Sequence, residues 1–134
     1  IHSWELQKTV YSALTGASIT DYNGDAITGV FDDVPENTEY PYIVIGEETS
    51  VDNATKDTDG REYTIVIHIW SRFRGLKETK QIMAKVYDLL HNVNLSVTGA
   101  SLVNIREEFT STLMDSDGIT RHGIMRFRVV IFDN

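Results

Sequence analysis

The chain has 134 residues, 41% hydrophobic and 24% charged, and its 12 basic against 20 acidic residues leave a formal charge of −8. That balance argues against a tight nucleic-acid binder and against docking on anionic membranes, because both need clustered Lys and Arg. There is no cysteine, no apolar run near the ~18–20 residues of a bilayer span, and no signal-peptide core in the mixed polar stretch Ile1 to Lys8, so thiol chemistry, disulfide frameworks and a membrane helix are excluded.

The stretch from Ser3 to Leu14 is expected to form a helix, with Ser3 as N-cap, Glu5 at the positive end of the dipole and Gly16 after the last turn. Leu6, Val10, Ala13 and Leu14 form its apolar face, and Trp4 and Tyr11 lie along a second edge. Residues 15–40 are rich in Gly, Asp, Asn and Thr, with an apolar island from Ile27 to Phe31 that suits an edge strand. Tyr42 to Gly46 is apolar on both faces and reads as an inner strand. A polar connection from Glu48 to Gly60 then leads into the clearest strand, Arg61 to Ser71, with Tyr63, Ile65, Ile67 and Ile69 on one face.

Leu76 to His91 carries Thr79, Ile82, Met83, Val86, Leu89 and Leu90 at helical spacing, with Lys77, Glu78, Lys80, Gln81, Lys85 and Asp88 on the expected solvent face. A short strand is expected around Leu95 to Val97. Leu102 to Leu113 alternates, placing Val103, Ile105, Phe109 and Leu113 inward and Asn104, Arg106, Glu108, Thr110 and Thr112 outward. After the turn Asp115 to Gly118, His122 to Phe132 closes the chain as a strand with Arg126 and Arg128 on one face. Strands in blocks rather than alternating with helices predict an α+β fold: a mainly antiparallel sheet of four or five strands, two helices on one face, and two long hairpins. With no linker, repeat or low-complexity run, residues 1–134 read as one domain.

The chemistry-bearing residues form no familiar constellation. His2, His68, His91 and His122 show no metal-ligand spacing, and His68 reads as a packed strand residue. Asp57 to Gly60 and Asp115 to Gly118 lack the later bidentate Glu of a calcium loop and read as turns. Arg72, Arg74 and Gly75 precede a helix N-terminus, a setting that favours anions, but no Walker pattern accompanies them. Glu107 and Glu108 are adjacent on a strand and so point to opposite faces, with Glu107 unexplained on the apolar side. No serine-nucleophile elbow occurs, and the chain reads as a non-enzyme.

Charge is unevenly placed. Residues 21–39 hold −6 and residues 47–62 hold −4, whereas residues 72–85 hold +4. The plainer reading is solvated loops and a solvated helix face; the sharper one is a pair of opposite surfaces that suits copies meeting head to tail.

Four stretches then carry a resemblance. They are Trp4-Glu5-Leu6-Gln7 with Val10-Tyr11; Asp32-Asp33-Val34-Pro35 followed by Tyr40-Pro41-Tyr42-Ile43-Val44-Ile45-Gly46; His68-Ile69-Trp70-Ser71-Arg72 with Gly75 and Lys77; and Arg121-His122-Gly123 with Arg126-Phe127-Arg128. In this order they resemble the small tail completion proteins (tail terminators, or tail-to-head joining proteins) of long-tailed phages, prophages and gene-transfer agents. The stretch Asn23 to Phe31 is longer than the family pattern.

The resemblance implies a structural subunit of a hexameric ring on the end of the tail tube. The ring would stop polymerisation of the major tail tube protein and offer a surface to the head-completion or connector protein, with DNA only passing through its lumen. It also implies a place in the virion tail or neck, assembly in the bacterial host cytoplasm, and no catalytic residue, metal, cofactor or membrane contact. On this reading Arg72, Arg74, Lys77, Arg126 and Arg128 are subunit-interface candidates. Glu47, Glu48, Asp52, Asp57 and Asp59 are candidates for an acidic lumen or a neighbour-embracing arm. Other readings stay open: another neck component, a monomeric anion-binding module at Arg72 to Gly75, or a hydrolase using Glu107 or Glu108 with His122.

Overall fold

The computed structural model describes residues 2–54 and 58–133; Asp57, one of the acidic candidates, lies outside the described residues. The elements are α1 (Ser3–Thr15), β1 (Val30–Phe31), β2 (Tyr42–Asp52), β3 (Gly60–Ser71), α2 (Lys77–Leu90), β4 (Ala100–Met114) and β5 (Arg121–Asp133). The five strands form one sheet in the order β1-β2-β3-β5-β4. Only the two-residue β1 pairs in parallel; the remaining ladders are antiparallel, which makes the fold α+β with two long hairpins as expected. The β3–β5 ladder joins the two hairpins along twelve residue pairs, from Gly60↔Phe132 to Ser71↔Arg121. The β2–β3 and β4–β5 turns therefore lie at opposite ends of the sheet.

Both helices cover the face presented by Tyr63, Ile65, Ile67 and Ile69 of β3 and Met125, Phe127, Val129 and Ile131 of β5. These side chains share one core with Leu6, Val10 and Leu14 of α1 and Ile82, Met83, Val86 and Leu90 of α2. α2 reaches β5 closely because Gly123 has no side chain. A Cβ there would stand 2.7 Å from Met83 Sδ and 2.9 Å from Thr79 Cγ2, inside van der Waals contact.

Several expectations are corrected. Ser3 is the first helical residue of α1 rather than its cap, and its hydroxyl donates to the Glu48 carboxylate instead. Leu95 to Val97 is not a strand, although Val97 is buried. The edge strand is confined to Val30 and Phe31 of the island beginning at Ile27.

The largest correction concerns β4. Its register against β5 steps between Leu102 and Asn104 and again between Glu107 and Phe109, leaving Val103 and Glu108 as extra residues. Each bulge resets the alternation, so later side chains turn over. Ile105 stays inward opposite Val129, but Val103 is 55% exposed, and Phe109 and Leu113 stand on the helix-free face opposite Arg126 and His122. Thr110 and Thr112, expected outward, occupy positions opposite Met125 and Gly123. Glu107 is accommodated on the helix side because it lies at the margin of α2, in an open depression beside Lys80 and Tyr87.

This predicts opposite outcomes for two residues expected on the same face. Ile105→Ala should cost about 2–5 kcal/mol in urea unfolding, as a large-to-small core change does. Val103→Ala should stay within about 0.5 kcal/mol, as an exposed substitution does. Similar losses for the two would refute the first bulge.

Candidate functional site

The helix-free face of the sheet holds most of the chemically distinctive side chains. Along β3 it presents Glu62, Thr64, Val66, His68 and Trp70, and across the ladder from them stand Arg128, Arg126, Ile124 and His122 of β5. The candidate cations here have partners within the chain. Arg126 Nε lies 3.3 Å from Glu108 Oε1, with its guanidinium 4.9 Å from the Phe109 ring centroid, and Arg128 Nε lies 3.4 Å from Glu62 Oε1. All are partly exposed, so each ion pair contributes only about 0–1 kcal/mol.

Toward the Ser71–Arg121 end of this face, Glu47, His68, His122 and Trp70 form a continuous row. His68 Nε2 is 2.7 Å from Glu47 Oε1, and His68 Nδ1 is 2.6 Å from His122 Nε2. The His122 and Trp70 rings stack at 3.8 Å. Gly46 in the β2 bulge makes the approach possible, since a Cβ there would lie 2.6 Å from the His68 ring. Of the two facing nitrogens, one must donate and the other accept. An N–H on both nitrogens would set two donors against each other, so the contact needs one of them to keep its lone pair. Burial and the neighbouring His68 push His122 below its ordinary pKa. The hydrogen bond from His68 holds the Glu47 carboxyl below the usual carboxylate range.

A second cluster lies at the strand–helix junction. The Arg72 guanidinium sits 4.5 Å from the Tyr40 ring centroid, donates from Nε to Thr120 Oγ1 at 3.1 Å, and lies 3.7 Å from Asp117 Oδ2. Its acidic partner is thus the β4–β5 turn of its own chain. Hydrogen bonds from the Thr120 hydroxyl and backbone and from the Ile119 amide hold the Asp117 carboxyl at about 2. Arg74 and Lys77 are exposed and make no hydrogen bond or ion pair among the described residues. The three cations accordingly differ in status: Arg72 braces a turn, while Arg74 and Lys77 are available.

Glu78, expected on the solvent face of α2, is 2% exposed. Its two oxygens accept from the Ser71 hydroxyl at 2.7 Å and the Tyr22 amide at 3.2 Å. The Tyr22 ring stacks on Phe73 at 3.9 Å. This latch fastens part of the acidic 21–39 segment beside α2, so that Asp21 and Lys85 line one cavity within the chain. The only sequence signal was a Glu in the first turn of a helix, which ordinarily marks a solvated residue.

The acidic candidates are partly gathered. Asp52 and Asp59 line one hollow at the β2–β3 end with His2, Arg61 and Asp133. Asp52 also accepts from the Ala54 amide at 3.2 Å. Glu48 turns to Ser3, and Glu47 to His68.

The hydrolase constellation does not form. Glu108 pairs with Arg126, Glu107 stands opposite Phe127 on the helix side, and His122 lies five residues away along β5 on the other face. Among the described residues, no three His, Asp or Glu side chains are placed to hold a metal ion.

Comparison with known proteins gives one consistent result. The family described as tail completion protein gp17 matches residues 8–131. The tail completion protein gp17 of Bacillus phage SPP1 is 26% identical over 134 residues, covering 98% of this chain and 99% of that protein. A chain from the virion of a native gene transfer agent particle has the same fold, with a TM-score of 0.73 at 22% identity, covering 98% of this chain and 91% of the other.

The histidine row makes stability pH-dependent with a definite sign. His122 is lowered in the folded state, so as pH falls below about 6.5 the unfolded chain binds a proton that the fold resists, and stability drops. Glu47 is also lowered and contributes stability that is lost at more acidic pH. His122→Phe, which keeps a ring against Trp70, should show a smaller fall in melting temperature between pH 7.5 and 5.5 than the parent chain. Identical falls would refute the assignment.

Proposed function

The chain belongs to the tail completion protein gp17 family, and from that membership we propose that it acts as a ring-forming tail terminator. It is a structural component of the phage tail rather than an enzyme. In the proposed role six copies close on the end of the tail tube, stop addition of further tube protein and present a surface to the head connector. The observation that carries this reading is the extent of the family match, which runs from within α1 through nearly all of β5 and so includes every element that positions the candidate residues.

The charge distribution supports the same role. The acidic group at the β2–β3 end, with Asp52 and Asp59 in one hollow, suits a channel lining that DNA passes without adhering, since like charges repel phosphate. Arg126 and Arg128 are neutralised by Glu108 and Glu62, which leaves Arg74 and Lys77 as the better candidates for contact with a neighbouring subunit. Assembly is expected on the tube, because a template that binds the assembled form shifts the equilibrium toward it.

Tail length is the deciding measurement. Particles made without this protein should carry overlong or unattached tubes. Tails of normal length that fail only to hold DNA in the head would favour a different neck component. Separately, Arg74→Glu combined with Lys77→Glu should reduce ring formation on tubes at least tenfold, with the melting temperature nearly unchanged. Undiminished ring mass by light scattering would remove these two residues from the interface.

A further inference from the structure

The sheet order places β1 and β4 at opposite edges, and the unpaired charges at the two edges are opposite in sign. At the β4 edge, α2 and β4 flank an open depression of about 370 Å³. Lys80, Ala84 and Tyr87 line it from the helix and Thr110 and Thr112 from the strand, above the buried Met83 and Met125. Lys77 lies one turn before Lys80 on the same side of α2. Both ammonium groups are exposed and make no ion pair or hydrogen bond among the described residues. Glu107 stands in the same depression, but Lys77, Lys80 and the neighbouring Arg74 outnumber it, and Glu78 is turned inward onto Ser71 and Tyr22. Beyond Glu107 the outer edge of β4 also carries backbone groups with no backbone partner among the described residues. The depression is therefore cationic along its helix wall and rich in open donors along its strand wall.

At the other edge, residues 32–39 connect β1 to β2 and carry four carboxylates and no cation. Asp32 accepts from Gln7 Nε2 at 2.9 Å. Asp33, Glu36 and Glu39 are exposed and make no ion pair or hydrogen bond among the described residues. The loop is nevertheless held in shape. Gln7 fixes its start, the Thr38 hydroxyl donates to the Pro35 carbonyl across its middle, and at its end the Tyr40 ring packs 5.0 Å from Tyr42 and against the Arg72 guanidinium. A segment ordered before binding loses less conformational freedom when it docks.

Each surface supplies the charge that the other lacks, and one chain carries both. Complementary potentials of this kind steer two surfaces together and fix their register. Because the loop and the depression are different surfaces on opposite edges, a contact between them is heterologous. Repeated from copy to copy, such a contact closes into a ring or runs on as a filament.

We propose that the acidic 32–39 loop of one copy lies in the α2–β4 depression of the next, with Asp33 and Glu36 facing Lys77 and Lys80, and that this contact joins neighbouring subunits around the ring. The proposal rests on the ring reading above and names the surface that Lys77 meets.

Charge reversal on one side at a time tests the contact in the full chain. Lys77→Glu combined with Lys80→Glu, or Asp33→Lys combined with Glu36→Lys, should each lower ring formation on tail tubes at least tenfold. All four side chains are exposed, so the melting temperature should stay near that of the parent. A chain carrying all four changes should recover to within about threefold of the parent, because opposite charges again face each other. Mixing the two doubly changed chains should restore rings as well, since alternating copies pair every reversed surface with its complement. Undiminished rings with either pair reversed would overturn the proposal, as would four changes that do no better than two. So would rescue of the Asp33→Lys, Glu36→Lys chain by reversed charges on the tube protein in place of Lys77 and Lys80. Failure of these tests in particles whose tail length still depends on the protein rejects the contact alone; normal tail length without the protein rejects the ring reading beneath it.

Discussion

Two helices can cover one face of a five-stranded sheet and no more, and the chain's surface chemistry follows from that limit. On the covered face, Gly123 lets α2 settle directly onto β5, and the β3 and β5 side chains close into a dry core. The other face has no such cover. Its residues must satisfy water and one another at the same time, and they do so by pairing: arginine with glutamate, arginine over phenylalanine, histidine with histidine, and imidazole over indole. The exposed sheet is consequently polar and aromatic rather than greasy. That is what keeps an uncovered sheet from joining others indiscriminately.

How far the sequence disclosed this arrangement depended on whether periodicity ran unbroken. β3 alternates without interruption, and its inward set of Tyr63, Ile65, Ile67 and Ile69 was legible at once. β4 was not, because Val103 and Glu108 are bulge residues of ordinary strand-forming or polar type, with nothing in their identity to announce an extra residue. One insertion is enough to move Phe109 and Leu113 across the sheet. The apolar stripe of α2 was readable from its spacing, yet Glu78 was misplaced, since only the arrival of Ser71 and Tyr22 from elsewhere makes burial of that carboxylate tolerable.

The candidate site shows the same division. The charges of Arg72, Arg126 and Arg128 were evident in the sequence, but their partners were not, because Asp117, Glu108 and Glu62 become neighbours only through turns and ladders. His68 was recognised as a packed strand residue. Its bond to His122 requires two strands separated by an entire helix to lie side by side, and no local pattern encodes that. The resemblance to tail completion proteins reached further than any individual motif because it drew on four stretches in order, and the family match over residues 8–131 covers all of them except Trp4 to Gln7.

The arrangement of the ladders also bears on how the subunit is made. β2 with β3, and β4 with β5, are hairpins whose partners are close in sequence, so each can form early at small loop-closure entropy. The twelve-pair ladder between β3 and β5 instead joins the two halves of the chain across α2 and the segment that follows it. The pairing that closes the longest stretch of chain is thereby concentrated in this one ladder, which carries the largest loop-closure cost in the sheet.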